Sequence, residues 1–130
     1  MIVVDASAVI EVLLGTSVAS RLASRFFRDG ETLHAPHLLD VEVLQVMRRY
    51  ERAGTISALR GAEALEDVAA FPITRYPHQP LMARMWELRQ NVTAYDAAYL
   101  ALAEALAAPL VTRDAKLASS PGHRTRIELV

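Results

Sequence analysis

A chain of 130 residues, 52% hydrophobic and 22% charged, has the size and composition of one compact domain that buries a core. It contains no cysteine, which excludes disulfides, thiolate catalysis and cysteine-based zinc sites. The net charge of −1 excludes a uniformly basic nucleic-acid binder.

Residues 1–5 read Ile-Val-Val-Asp after the initial Met, a β-branched run that predicts a buried parallel strand ending at Asp5. Ser7 to Leu14 predicts a short helix stopped by Gly15, and Thr16 to Asp29 a second one closed by Gly30. Thr32 to Ala35 is a second strand. Pro36 suits the first turn of the next helix, because its missing N–H loses nothing there. That helix runs to about Ala53, with Leu39, Val43, Val46 and Tyr50 as its apolar stripe, and Gly54 closes it. Further helices are expected over Ile56–Ala70, Pro80–Gln90 and Thr93–Ala107. Strands are expected at Pro72–Tyr76, Leu110–Thr112 and Arg126–Val130. Strands alternating with helices imply an α/β fold, a parallel sheet flanked by helices on both faces. No repeat, linker or low-complexity stretch interrupts residues 1–130, so one domain is expected.

The first positive charge is Arg21, after Asp5 and Glu11, so no basic leader precedes an apolar stretch. No apolar run reaches the length of about 18 residues that a membrane span needs. A cytoplasmic protein without a membrane partner is the expectation.

The acids carry the chemical signal. Asp5 closes the first strand and Asp114 follows the Leu110–Thr112 strand. In open α/β sheets, ligands bind beyond the carboxyl ends of strands where the strand order reverses, so two acids at such ends can share a cleft. Each also has a structural reading. Asp5 can cap the helix that follows, Asp114 can cap the next turn, and Thr93-x-x-Asp96 matches a capping arrangement. Glu42 differs, because it lies inside a helix among Leu38, Leu39, Val43 and Val46 with no cation at helical spacing. An unpartnered buried carboxylate is costly, and metal ligation removes that cost. Its competitor is Asp40. Converging carboxylates repel and call for a cation, and hard oxygen ligands favour Mg²⁺ or Mn²⁺. Two such ions about 4 Å apart can activate water and stabilise the leaving oxygen of a phosphodiester. Ser7 and Thr112 place hydroxyls beside Asp5 and Asp114, where they can orient a carboxylate or simply close a turn. His34, His37, His78 and His123 show no ligand spacing, and no phosphate-cradling glycine motif occurs.

Setting four of the 15 acids aside leaves 11 against 14 basic residues, a slightly basic remainder. Lys116 is the only lysine; the other basic residues are arginines, whose forked donors suit phosphate. Arg48, Arg49 and Arg52 follow Glu42 on one helix, positioned either for phosphate or for solvent.

Val4-Asp5-Ala6-Ser7-Ala8, Glu42 in the third helix, Thr93-Ala94-Tyr95-Asp96-Ala97-Ala98-Tyr99 and Leu110-Val111-Thr112-Arg113-Asp114 together resemble the PIN domain, and within it the VapC-type toxins of bacterial toxin–antitoxin pairs. The resemblance covers essentially the whole chain and implies an α/β/α sandwich with metal-dependent endoribonuclease activity. It maps the family's four metal-binding, catalytic acids onto Asp5, Glu42, Asp96 and Asp114. It also maps a hydroxyl of the family onto Thr112, with Ser7 in the family's Asp-x-Ser. It implies Mg²⁺ or Mn²⁺ as cofactor, tRNA or ribosomal RNA as substrate, a homodimer, and a cognate antitoxin as inhibitor. Val12-Leu13-Leu14 and the helix from Ile56 to Ala70 are apolar enough for an antitoxin to cover, or belong to the core. Two other readings stay open: a phosphoryl-transfer domain of the receiver or haloacid-phosphatase type, and a non-catalytic interaction module on the same fold. The first strand offers Asp5 alone where a receiver domain wants paired acids.

Overall fold

The structure is a computed structural model that describes Met1 to Val130. Its strands are β1 (Ile2–Val4), β2 (Leu33–Pro36), β3 (Ile73–Tyr76), β4 (Leu110–Thr112) and β5 (Ile127–Leu129). All pair in parallel, in the order β3-β2-β1-β4-β5. Parallel neighbours require crossovers, and helices supply them. These are α1 (Ala6–Leu14), α2 (Ala19–Phe26), α3 (Leu38–Arg52), α4 (Ala58–Ala70), α5 (Met82–Glu87), α6 (Ala94–Leu106) and α7 (Ala115–Ala118). The chain walks outward from β1 to β3, then returns past β1 to lay down β4. The strand order therefore reverses between β1 and β4.

Helices α1 to α4 pack on one another, while α6 lies across β1, β2 and β4 with α5 against it. Right-handed crossovers put these two groups on opposite faces of the sheet, giving the α/β/α sandwich expected from the alternation. With both faces covered, Ile2, Val3 and Val4 are fully inaccessible, which is why β1 reads as an unbroken apolar run. Helix α6 is buried all round from Ala97 to Ala103, and four of those seven residues, Ala97, Ala98, Ala101 and Ala103, are alanines. Leu100 and Leu102 fill the remaining space, each stabilising the fold by about 1.5–3 kcal/mol through burial.

Four details depart from expectation. Pro36 ends β2 instead of opening α3, which starts at Leu38. The His37 N–H donates to Tyr76 on β3, so the pleat turns the Pro36 nitrogen to the other side, beyond the last β1 pairing at His34. No ladder bond is lost. Helix α2 is shorter than Thr16–Asp29, because its apolar contacts end with the buried Leu22 and Phe26. A 3-10 turn at Gln79–Leu81 takes the place of the first helical turn after Pro80. A four-residue helix, α7, follows Asp114, too short to show a period in the sequence. No single helix is long and apolar enough to cross a membrane.

Candidate metal centre

The β1–β4 register places Val4 beside Val111, so Asp5 and Thr112 lie next to each other at the carboxyl end of both strands. The Asp5 carboxylate caps α1 by accepting from the Ala8 N–H at 3.0 Å. Its Oδ1 also accepts from the Ser7 hydroxyl at 2.7 Å, and its Oδ2 from the Thr112 hydroxyl. Thr112 Oγ1 in turn accepts from the Asp114 N–H at 2.9 Å, so this hydroxyl joins the two strand-end acids directly. Ser7 Oγ accepts from the Arg113 N–H at 3.0 Å and tethers the same loop to α1. Asp114 caps α7 through the N–H groups of Lys116 and Leu117. Capping is therefore real at Asp5 and Asp114, and it orients both carboxylates.

Glu42 projects from α3 and accepts from the Tyr99 hydroxyl of α6 at 2.6 Å. The side chains of two helices on opposite faces thus meet over the sheet edge. Asp96 opens α6, where the Thr93 hydroxyl accepts from its N–H at 3.2 Å. Asp40, the competitor of Glu42, is engaged elsewhere in a bidentate pair with Arg75 at 2.8 and 3.0 Å.

The electrostatics draw the four acids into one group. Burial raises the Asp5 carboxyl pKa, opposed by its three hydrogen bonds, and the charge of Asp114 raises it further. Burial also raises Glu42, the Tyr99 hydroxyl lowers it, and the charges of Asp5 and Asp96 push it up. Asp96 is raised by burial and by Asp114, and lowered by Thr93 and Lys116. Tyr99 is held above its ordinary range by burial and by Glu42, so it stays a hydrogen-bond donor. Asp5, Glu42 and Asp96 each feel at least one other of the four, and Lys116 is the one cation that offsets any of these three.

As the side chains stand, no three acidic or imidazole groups are close enough together to hold an ion. The donor set nevertheless fits a hard divalent cation: four carboxylates, oxygen only, in mutual repulsion. Asp5 is held by three hydrogen bonds and Glu42 by one, from Tyr99, while both Glu42 and Asp96 are half-buried on their helices.

Two clefts flank the acids. One, of about 440 Å³, runs past Ser7, Glu42, Arg49 and Arg113. The other, of about 330 Å³, contains Asp96 with Arg89, Asn91 and Lys116. Arginine or lysine therefore borders the acids on both sides. A further cavity, about 510 Å³ around Glu104 and Arg124, lies at the amino ends of β4 and β5 and includes none of the four. Of the arginines on α3, only Arg49 lines the cleft; Arg48 and Arg52 are exposed elsewhere. His34 is buried between Thr32 and Tyr76, His78 accepts from the Leu38 N–H, and no histidine contributes to the shifts of the acids. Leu13, Ala64 and Val68 of the apolar stretches are core, and Leu59 alone of the large hydrophobic side chains there is exposed.

The sequence marks Arg49 only together with Arg48 and Arg52, and it does not mark Tyr99, Arg113, Lys116 or Arg89 as site residues. Tyr99 had a signal, since it lies one helical turn beyond Asp96 and shares its face.

The PIN domain family matches residues 2–121 of this chain. Ribonuclease VapC12 of Mycobacterium tuberculosis is 42% identical over 130 residues, spanning 100% of this chain and 99% of the relative. Ribonuclease VapC1 of the same organism is 44% identical over 129 residues, spanning 98% and 96%. Among solved structures, PAE2754 from Pyrobaculum aerophilum superposes with a TM-score of 0.74 at 23% identity, covering 97% of this chain and 81% of that one. VapBC2 from Rickettsia felis, bound to a DNA fragment from its promoter, superposes with a TM-score of 0.70 at 14% identity, covering 99% and 98%. The full-length match to the curated relatives, on a sheet whose strand order reverses beside Asp5, establishes that the chain belongs to the PIN-domain family, among its VapC-type members.

Proposed function

We propose that this chain is a divalent-metal-dependent endoribonuclease that acts as the toxin of a toxin–antitoxin pair. The observation that carries the reading is the set of four mutually repelling carboxylates, Asp5, Glu42, Asp96 and Asp114, at the reversal of strand order. The ribonuclease names of the full-length relatives support RNA as the substrate class. Ribosomal RNA or tRNA as the target, Mg²⁺ or Mn²⁺ as the ion and the cytoplasm as the compartment belong to the same reading. So does a homodimer, for which Val41 and Leu44, exposed on α3, offer apolar surface.

Asp5, Glu42, Asp96 and Asp114 would hold the metal. A bound divalent ion supplies Lewis-acid stabilisation of a phosphodiester oxygen and acidifies an attacking water. The remaining work falls to the chain. Thr112 and Ser7 hold the Asp5 carboxylate in one orientation, and Thr112 ties it to the Asp114 loop. Tyr99 donates to Glu42 Oε1 and so fixes the carboxylate, leaving Oε2 without a protein partner. Arg49 and Arg113 on one side, and Arg89 and Lys116 on the other, receive the phosphates that flank the scissile bond.

The test is cleavage of structured RNA by the purified chain, with and without EDTA, and growth on expression with and without an upstream antitoxin gene. EDTA-sensitive cleavage and antitoxin-reversed arrest are expected. Cleavage that continues at full rate in EDTA would overturn the metal assignment.

A further inference from the structure

Next to the Asp96 cleft is a pocket of different character. Helix α5 exposes Met82 and Trp86, with relative exposures of 58% and 67%. Together with Met85, Ala94 and the stem of Arg89 they line a pocket of about 350 Å³. The Arg89 guanidinium lies over the indole, 4.5 Å from its centroid, and is fixed there by donating to the Trp86 carbonyl at 2.9 Å. Arg89 also lines the cleft that holds Asp96 and Lys116, so one side chain forms the wall between the two. An exposed tryptophan paired with an arginine is a costly way to end a helix, since α5 buries none of its six residues.

We propose that this pocket receives an unpaired nucleobase of the RNA substrate, one that neighbours the scissile phosphate, stacked on the Trp86 indole beside Arg89. The inference rests on the nuclease reading above and adds to it a residue that contacts the substrate beside the scissile phosphate. Three features favour a base. The pocket volume lies at the small end of ligand sites, about 300–1,000 Å³, which suits one planar group. Its apolar lining is four side chains, Met82, Met85, Trp86 and Ala94, too few for the roughly 800 Å² per partner of a stable protein interface. Its wall is shared with a cleft already lined by cations and by Asp96, so a strand whose phosphate lies at the acids passes directly over it. Stacking on an indole beside an arginine is how sequence-tolerant single-strand binding works, because every base has a π-face.

Trp86 is the only tryptophan, so the intrinsic indole fluorescence reports this pocket alone. The experiment mixes the wild-type chain rapidly with hexaribonucleotides, oligo(U), oligo(A), and a hexamer of abasic ribose phosphates. Fluorescence is read before turnover, and binding is followed in parallel by the anisotropy of end-labelled probes. Base-dependent quenching, stronger for oligo(A) and absent for the abasic probe, is expected. The Trp86→Ala chain should bind oligo(A) about tenfold more weakly, Trp86→Phe should recover most of that loss, and the abasic probe should bind all three chains alike. Binding and cleavage of RNA with an unquenched indole would overturn the base pocket and leave the nuclease reading intact. Absence of both binding and cleavage would remove the two together. Sedimentation decides the remaining outcome: dissociation of an oligomer by Trp86→Ala, with unchanged affinity for oligo(A), would assign the pocket to a second copy of the chain and overturn the proposal.

Discussion

At the scale of single residues, two hydroxyls determine how two acids are held. Thr112 is fully buried, donates to Asp5 and accepts from the Asp114 N–H. Replacing it with Val keeps the shape and removes both bonds. The expected result is a drop of about 10- to 100-fold in metal affinity or activity, with Thr112→Ser restoring most of it. A Mg²⁺ titration of RNA cleavage reads this. Tyr99 is the corresponding partner of Glu42 across the sheet edge. Tyr99→Phe keeps the buried ring, so stability should fall by only about 1 kcal/mol, while the Mg²⁺ concentration for half-maximal cleavage rises. An unchanged metal requirement would mean that Tyr99 only packs. Asp5 and Asp114 stand out in the sequence at strand ends and Glu42 among apolar neighbours, whereas Asp96 reads as a helix cap that only the resemblance to the PIN domain marks. Tyr99 does not stand out, because its partner is 57 positions away and the meeting of α3 with α6 is a tertiary fact.

At the scale of elements, α6 carries the most weight, since it crosses the sheet and bears both Asp96 and Tyr99. Its seat depends on alanine. Ala101→Leu adds volume where nothing can yield, and should destabilise the chain by about 1–3 kcal/mol in denaturant unfolding. Its far end is pinned by Glu104, whose carboxylate accepts from Arg84 at 2.7 Å and from the Arg124 N–H at 2.8 Å. The Arg84 contact holds the Glu104 pKa below the ordinary carboxylate range, against a smaller effect of burial. A lowered folded pKa gives stability that is present above the unfolded value and is lost as pH falls through the folded one. Glu104→Gln should therefore destabilise by about 1–3 kcal/mol at neutral pH, with the difference shrinking in acid. The strands and long helices were legible from periodicity. The end of β2 at Pro36 was not, because a proline is tolerated there only through the shortness of β1, and α7 was not, because four residues show no period.

For the whole molecule, the sheet order decides the function. Hydrophobic runs locate strands but do not order them, so the meeting of Asp5 with Asp114 rested on an assumed adjacency that the β1–β4 pairing bears out. The same convergence has a thermodynamic consequence. Asp5 and Asp96 have raised carboxyl pKa values, chiefly from burial. Between the ordinary carboxylate range and those raised values the folded chain binds more protons than the unfolded one. The stability of the metal-free chain therefore declines as pH rises through that window, and the full penalty remains above it. Mg²⁺ or Mn²⁺ should raise the melting temperature at neutral pH by at least about 3 °C at saturating concentration. Asp96→Asn should raise it without metal and blunt the response to metal. The most direct test of the central claim is single-turnover RNA cleavage across a Mg²⁺ titration with the wild-type, Asp5→Asn and Asp96→Asn chains. The four-carboxylate centre predicts saturable, EDTA-sensitive cleavage by the wild type and a loss of at least about 100-fold in both variants. Wild-type rates from either variant would contradict it.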